Sequence, residues 1–232
     1  MSILGTRVLR TEDPRFLTTG GIYTDDLHLP GACHVHFVRS AVAHARITGV
    51  DVSAALAAPG VIAAFTGADL DLDEVGPPMP AMINAQMRQP LLARDVVRFV
   101  GEPLAVVVTE RRYQGEDAAD LVDVDYDLLP PVVEMAEAAA PGAAVLFPAA
   151  GSNVAATFGD RAALAADLSA RCEVVLSRTI LNQRVAPAGM THGRAQRQTI
   201  TIGGRRDGTV EAYRLEILQD SGAYPRLGAI LP

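Results

Sequence analysis

The chain has 232 residues, of which 49% are hydrophobic, 20% charged and 5% aromatic, and 20 basic residues against 27 acidic ones give a formal charge of −7. This apolar content excludes a disordered chain, and the length is enough for one or two domains with a sizeable core. Every basic residue is arginine and no basic tract is present, which argues against nucleic-acid binding. We expect no membrane span, no signal peptide and a cytoplasmic protein, because no apolar run has the necessary length.

The first half of the chain is predicted to alternate short strands with a few helices. Residues 1–17 mix charges with a proline and are expected to form an extended N-terminal arm. A period of two predicts a strand over 32–40. Apolar runs predict further strands over residues 45–50, 61–66, 96–100, 104–109 and 122–126. Capping and periodicity predict a short helix over 51–58 and a longer one over 110–122, capped by Thr109.

This order of elements predicts an α+β domain with a mixed sheet over residues 18–130, in which residues 71–90 form a long proline-rich loop. Residues 131–171 are rich in alanine and proline and are expected to be a connection with one short helix over 162–170. The remainder, 172–232, contains three predicted strands, over residues 172–180, 196–202 and 209–218. Its last two strands flank a glycine-containing hairpin loop over 203–208.

Two histidines are the first candidates for a metal site. His34 and His36 share one face of a predicted strand, and His28 and His44 lie nearby in sequence. Two imidazoles at this spacing bind one metal ion only if a third ligand converges on it, and no acid or thiol stands at a supporting position. Surface or packing histidines are therefore the favoured interpretation.

Three acids on one strand face are the second candidate: Asp123, Asp125 and Asp127. A calcium loop of the helix–loop–helix type needs a glycine after the third acid and a later glutamate. Leu128 stands at that position instead. A solvated acidic face is the favoured interpretation.

Glycine pairs and cysteines give no stronger signal. Gly20-Gly21 and Gly203-Gly204 lack the dinucleotide-binding spacing between a strand and a helix, and both indicate turns. Cys33 and Cys172 have neither a metal nor a nucleophile signature, so free core thiols in a reducing compartment are expected. The residues alone therefore predict an α+β protein without a visible catalytic constellation.

Several strings along the chain are distinctive together. One of them is Val97-Arg98-Phe99-Val100-Gly101-Glu102-Pro103. The others are residues 20–31, 37–40, 43–47, 59–61, 66–70, 122–126 and 129–130. This succession resembles the α/β hammerhead domain of the molybdopterin-binding large subunit of the xanthine dehydrogenase and aldehyde oxidase family, with carbon monoxide dehydrogenase large subunits nearest.

The later part resembles the same subunit without being contiguous with it. Residues 175–187 are similar to the strand that enters the cofactor-binding region, whereas 190–196 and 218–225 are similar to segments well downstream. The family's long intervening stretch is reduced here to Ala188-Gly189. The resemblance therefore implies a hammerhead domain followed by a small, incomplete β-rich remnant of the molybdopterin-binding domain.

Family membership implies oxidation or hydroxylation of an aldehyde, an N-heterocycle or carbon monoxide at a molybdopterin cofactor. It also implies electron transfer to an iron–sulfur small subunit and an FAD-binding medium subunit. The family's glycine-rich pterin loop, active-site loop and catalytic glutamate have no counterpart in this sequence. No catalytic, cofactor-binding or metal residue is therefore assigned, and we expect the chain alone to be inactive and not to bind the cofactor.

Two other interpretations stay open. The chain could be a non-catalytic binding or assembly module that docks onto related subunits through residues 71–90 and the arm. It could also be a remnant of a degraded gene. The strand edges within 172–232 lack their usual neighbours, so we expect this region either to have poorly protected amides or to form homo-oligomers.

Overall fold

The structure is a computed structural model that describes residues 5, 9–27, 29–159, 167–182 and 195–225. The strands are β1 His34–Arg39, β2 Ala45–Asp51, β3 Val61–Thr66, β4 Val96–Val97, β5 Pro103–Thr109, β6 Asp123–Leu128, β7 Val174–Asn182, β8 Gln196–Gly204 and β9 Val210–Gln219. The α-helices are α1 Asp13–Thr18, α2 Ser53–Leu56, α3 Arg112–Ala119 and α4 Met135–Ala138. The predicted α+β class is confirmed. The shortened junction at 188–189 and most of the predicted helix over 162–170 lie outside the described residues.

Two three-stranded sheets form the first part of the fold, where the sequence predicts one mixed sheet. The first has the order β1-β5-β3 and the second the order β4-β2-β6, and neighbouring strands are antiparallel in both. β5 is central in its sheet because its residues are apolar on both faces, as expected for a strand that is covered on each side. The predicted strand over 96–100 is only the two-residue β4.

Helix α3 packs on one face of the first sheet. The core there consists of Val38, Ala105, Val107 and Ala118. The close approach depends on Gly115, because a Cβ at this position would lie 2.8 Å from the Cβ of His36. A second core cluster, Ala45, Ala93, Val97 and Leu104, joins the two sheets.

Two helix predictions need correction. The N-terminal arm is not extended throughout, because α1 begins at Asp13, where Pro14 supplies a helical φ at the first turn. The predicted helix over 110–122 is shorter in the structure. The hydroxyl of Thr109 donates to the carbonyl of Arg111 instead of capping the helix, and the backbone amide of Arg111 donates to the side chain of Gln114 to start α3.

The alanine-rich connection is ordered by one side chain. Asn153 accepts a hydrogen bond from the amide of Leu146 at 2.9 Å and donates to the carbonyls of Ala138 and Ala144 at 3.2 and 2.8 Å. Two short 3-10 helices, Pro148–Ala150 and Leu168–Ala170, lie in the described parts of the chain between α4 and β7. Within the described residues, no helix is long and apolar enough to cross a membrane.

The last part of the described chain is an antiparallel sheet with the order β7-β8-β9. The three predicted strands are therefore confirmed. Gly203 and Gly204 belong to β8 rather than to the hairpin loop, and the positive φ of the turn is at Gly208, where it is +94°. Gly203 is required for packing instead, because a Cβ there would lie 2.5 Å from the sulfur of Cys172.

Candidate functional site

A buried carboxylate lies in the tight turn between β4 and β5. The turn brings Glu102 back towards Arg98, and Gly101 adopts a φ of +94° that favours glycine. The backbone amide of Arg98 donates to Oε2 of Glu102 at 2.5 Å, so the side chain closes its own turn. Glu102 is only 1% exposed.

Tyr224 reaches this turn from the segment that follows β9. Its hydroxyl donates to Oε1 of Glu102, and its side chain is 1% exposed. The ring packs edge-on against Phe99 and Phe147, with centroids 6.2 and 5.5 Å away. A charged turn and an aromatic pocket thus join two parts of the chain that are distant in sequence.

Arg98 completes this cluster. Its Nε donates to the carbonyl of Leu146 at 3.0 Å, and its Nη1 donates to the hydroxyl of Tyr224 at 3.3 Å. The guanidinium lies over the ring of Phe147, 4.5 Å from the centroid, in a cation–π contact. We call Arg98, Glu102, Phe147 and Tyr224 the buried cluster.

Burial dominates the electrostatics of this cluster. Desolvation raises the pKa of Glu102, and the hydrogen bonds from Tyr224 and from the amide of Arg98, with the charge of Arg98, only partly oppose it. The pKa of Tyr224 is also raised, first by burial and then by the neighbouring carboxylate. A carboxyl group with a raised pKa is typical of general acids, but in the buried cluster both oxygens already have protein donors and the side chain is almost fully buried. The buried cluster therefore fits a structural role.

The sequence gives little sign of this cluster. Glu102 stands out only as an acid between two apolar runs, and Tyr224 lies in a string quoted for its resemblance to the family. One signal was available, because a single charged residue flanked by glycine and proline inside a buried run needs a partner.

The histidines do not converge. His34 and His36 lie on β1 as predicted, but His36 packs against α3 at Gly115, and His34 is exposed. His44 is buried, and its Nδ1 lies 2.7 Å from the carbonyl oxygen of Pro130. His28 lies outside the described residues. Across the part of the chain that the structure describes, no three histidine, cysteine, aspartate or glutamate side chains are grouped as metal ligands.

The remaining candidates occupy surface or turn positions. Asp123, Asp125 and Asp127 are exposed along β6. Cys33 is exposed, which corrects the prediction of a core thiol, because it precedes β1 and lies outside the sheet. Cys172 is half-buried.

Two grooves lie on the described surface. The larger, about 1510 Å³, separates Leu27 and Leu29, in the segment before β1, from β1 itself and from the start of α3 at Arg111 and Tyr113. The smaller, about 400 Å³, lies between residues 80–85 and 154–157. The larger groove is of ligand size, and its walls mix leucines with charged side chains.

Residues 18–130 match the family profile described as "Aldehyde oxidase and xanthine dehydrogenase, a/b hammerhead domain". These residues are a hammerhead domain of that family. The predicted resemblance is thereby confirmed, whereas the division of the chain at residues 17, 130 and 171 stays a prediction.

Curated relatives agree with this assignment. The chain is 46% identical over 137 residues to the nicotine 6-hydroxylase large subunit of Paenarthrobacter nicotinovorans, a match that covers 57% of this chain and 16% of the relative. It is 43% identical over 143 residues to the carbon monoxide dehydrogenase large chain of Afipia carboxidovorans, covering 62% of this chain and 17% of the relative. The chain therefore spans less than a fifth of these two relatives, each of which is the large subunit of its enzyme.

Solved structures show the same fold over more of the chain. The reconstituted CO dehydrogenase from Oligotropha carboxidovorans superposes with a TM-score of 0.74 at 24% identity, covering 92% of this chain and 39% of that one. Quinoline 2-oxidoreductase from Pseudomonas putida 86 gives a TM-score of 0.71 at 25% identity, covering 95% and 40%. The likeness thus extends beyond the hammerhead domain into the sheet β7-β8-β9.

The described residues that line the larger groove do not fit the family's molybdopterin cofactor. A large anionic pterin needs many backbone amides and enclosing walls. The larger groove is open and carries acids, among them Glu110 and Glu116, beside its arginines. No reaction step is therefore assigned to the described residues.

Proposed function

We propose that this chain is a hammerhead-containing component of a molybdenum-hydroxylase large subunit and that it is not catalytic by itself. In a complete complex of this kind the reaction would be oxidation or hydroxylation of an aldehyde, an N-heterocycle or carbon monoxide. Electrons would pass to an iron–sulfur subunit and a flavin subunit. A cytoplasmic location stays a prediction.

The observation that carries this proposal is the enclosure of Glu102. It is the described acid whose pKa is raised by burial, and Tyr224 and the amide of Arg98 occupy both of its oxygens. A base that must take a proton from a substrate needs an oxygen within reach of that substrate. Glu102 instead ties the segment after β9 to the hammerhead domain, which is a structural use of a carboxylate.

Metal analysis of the purified chain tests the proposal. We expect a molybdenum-to-chain ratio near zero and no dye reduction with an aldehyde, an N-heterocycle or carbon monoxide. A complete carbon monoxide dehydrogenase, expressed in the same cells, controls for cofactor supply. A ratio near one molybdenum per chain would overturn the proposal.

A second candidate function is an assembly module, and the larger groove favours it. Leu27 and Leu29, in the segment before β1, are exposed on one side and Tyr113 of α3 is 71% exposed on the other, so a peptide from another subunit can bind between them. Co-expression with the small and medium subunits of a related carbon monoxide dehydrogenase tests this. A stable complex that Tyr113→Asp abolishes and Tyr23→Asp leaves intact would support it, and no complex would exclude it for those subunits.

Sequencing the transcript across the codons for residues 187–190 separates the enzyme interpretation from the other two. If a longer in-frame segment is present in the transcript, the chain is a defective copy of an ordinary large subunit and the enzyme interpretation stands. If the junction is real, the assembly-module and degraded-gene interpretations take its place.

A further inference from the structure

The sheet β7-β8-β9 has one apolar face. Three adjacent strands bring Leu176, Ile202 and Tyr213 into one cross-strand row. Two positions further along the sheet, Ile200 of β8 and Leu215 of β9 are paired on the same face. We define the apolar face by six exposed side chains, Leu176, Ile180, Ile202, Tyr213, Leu215 and Ile217.

The opposite face of the same sheet is more polar, although Leu181, which is 66% exposed, belongs to it by its register. The hydroxyls of Ser177 and Thr201 lie 3.0 Å apart, and those of Thr179 and Thr199 lie 3.2 Å apart. Arg197 belongs to this face by its register. Such alternation is typical of strands that have one face in water and the other buried against a partner.

Within the described residues, however, nothing covers the apolar face. Leu176 is 70% exposed and Tyr213 is 61% exposed. A three-stranded sheet is stable only when its apolar side is covered. Exposure of these side chains to water therefore raises the free energy of the single chain, and association lowers it by burying them.

The size of the face indicates what kind of contact it makes. With Val174 and Val210 at its margin, it exposes on the order of 800 Å² of apolar side chain, which is the area each partner contributes to a standard stable interface. The outer face of β1-β5-β3, with Val35, Phe37 and Phe65, exposes on the order of 300 Å², which is ordinary for a monomer. The face of β7-β8-β9 is therefore large enough for a stable interface, whereas the face of β1-β5-β3 is not.

We propose that the apolar face binds the same face of a second copy of this chain, so that two sheets pack into a six-stranded sandwich about a two-fold axis. Two copies would bury on the order of 1,600 Å² in total, the typical size of a specific interface. This dimer is independent of the proposed function, because it depends only on the chain's own sheet.

The face also carries polar residues. Arg178 stands beside Ile200 in the middle row, but on the edge strand β7, from which a long side chain can extend its guanidinium past the rim into water. Gln198 lies between Ile180 and Ile217 on the central strand, and its amide donates to Gln196 at 2.7 Å. Asn182, Gln196 and Gln219 form one cross-strand row at the end of the sheet. Apart from Arg178 at the edge the face carries no charge, so an identical face meets it without like-charge repulsion at its centre.

Sedimentation of the purified chain over a concentration series tests the dimer. We expect a dimer for the natural sequence and, for Leu176→Asp combined with Tyr213→Asp, a dissociation constant raised by about 100-fold or more. Ser177→Asp combined with Thr201→Asp places the same charges on the polar face of the same strands and should leave the dimer intact. Circular dichroism checks that each variant is folded.

A cross-linking experiment decides the question even if the charged variants fail to fold. In a Cys33→Ser background, Ile202→Cys places a thiol at the centre of the apolar face, and Thr201→Cys places one on the polar face. A short bis-maleimide should join two Ile202→Cys chains and not two Thr201→Cys chains. Equal cross-linking of both variants, or a monomer at every concentration, would overturn the proposal, as would a heteromeric complex that occupies this face in place of the second copy.

Discussion

The hydroxyl of Tyr224 donates to Oε1 of Glu102, which lies 122 positions earlier in the chain. Both side chains are almost fully buried, and Arg98 contacts both of them. This contact fastens the segment after β9 to the turn between β4 and β5. The hammerhead domain and the last described segment therefore share one polar anchor.

Removing the hydroxyl tests the strength of that anchor. Tyr224→Phe leaves the buried Oε1 of Glu102 without its donor, so we expect the free energy of unfolding to fall by about 1–3 kcal/mol. Tyr113→Phe is the matched control, because Tyr113 is exposed on α3 and its loss of a hydroxyl should change little. Urea unfolding measures both, and equal midpoints for the two variants would contradict the anchor.

The raised pKa of Glu102 predicts a pH dependence. Because burial raises this pKa above its ordinary value of 4.5, the folded state holds a proton that the unfolded state releases between 4.5 and the raised value. The stability contributed by this group is therefore complete below 4.5 and is lost as the pH rises through the raised pKa. Glu102→Gln cannot titrate.

The free energy of unfolding of the natural chain minus that of Glu102→Gln should accordingly decrease from about pH 4 to about pH 7. The other carboxylates are common to both proteins and cancel in the difference. Chemical unfolding at a series of pH values gives this quantity. A difference that stays flat or increases would show that the hydrogen bonds from Tyr224 and Arg98 outweigh burial.

Replacing Gly115 gives a prediction in which the sign of the change in the free energy of unfolding is decisive. In an unpacked helix, alanine in place of glycine stabilises by about 0.5–1 kcal/mol. Here the new Cβ would meet the Cβ of His36 at 2.8 Å, so Gly115→Ala should destabilise by about 1–3 kcal/mol. Gly76→Ala, where the added Cβ meets the flexible end of Arg88, should change stability by less than about 0.5 kcal/mol. A stabilised Gly115→Ala would show that α3 has room to move.

The two cysteines should react at different rates. Cys33 is exposed, whereas the sulfur of Cys172 packs over Gly203 in β8. With iodoacetamide we expect Cys33 to be alkylated at least about 10-fold faster, because accessibility limits the reaction of the second thiol. In denaturant the two rates should converge. Peptide mass spectrometry over time measures both.

Strands were the part of the fold that the sequence predicted best. β3 begins and ends where the apolar run over 61–66 predicts, and the strand predicted over 104–109 differs from β5 only by Pro103. Strands are predictable from short stretches of sequence, because the alternation of apolar residues and the presence of β-branched residues both reflect which side chains are buried. Helix ends were predicted less well, because the predicted cap Thr109 binds a carbonyl, and α3 starts instead where the amide of Arg111 donates to the side chain of Gln114.

The buried cluster could not be predicted, for a different reason. Glu102 and Tyr224 satisfy each other across most of the chain, and neither residue has a local signature of that pairing. The same applies to Gly203, where the glycine serves a contact with Cys172 instead of a turn. Predictions from spacing find partners that are neighbours in sequence and miss those that only the fold brings together.

The position of β5 between β1 and β3 bears on synthesis at the ribosome. The two outer strands leave the exit tunnel first, and residues 103–109, which supply hydrogen bonds to both, are made last. Until then the backbone amides and carbonyls of two apolar segments have no ladder partner, and long-range closure of this kind is slow. A nascent chain whose residues 103–109 are still inside the tunnel is therefore a natural client for chaperones, and the sheet can close only when its middle strand emerges.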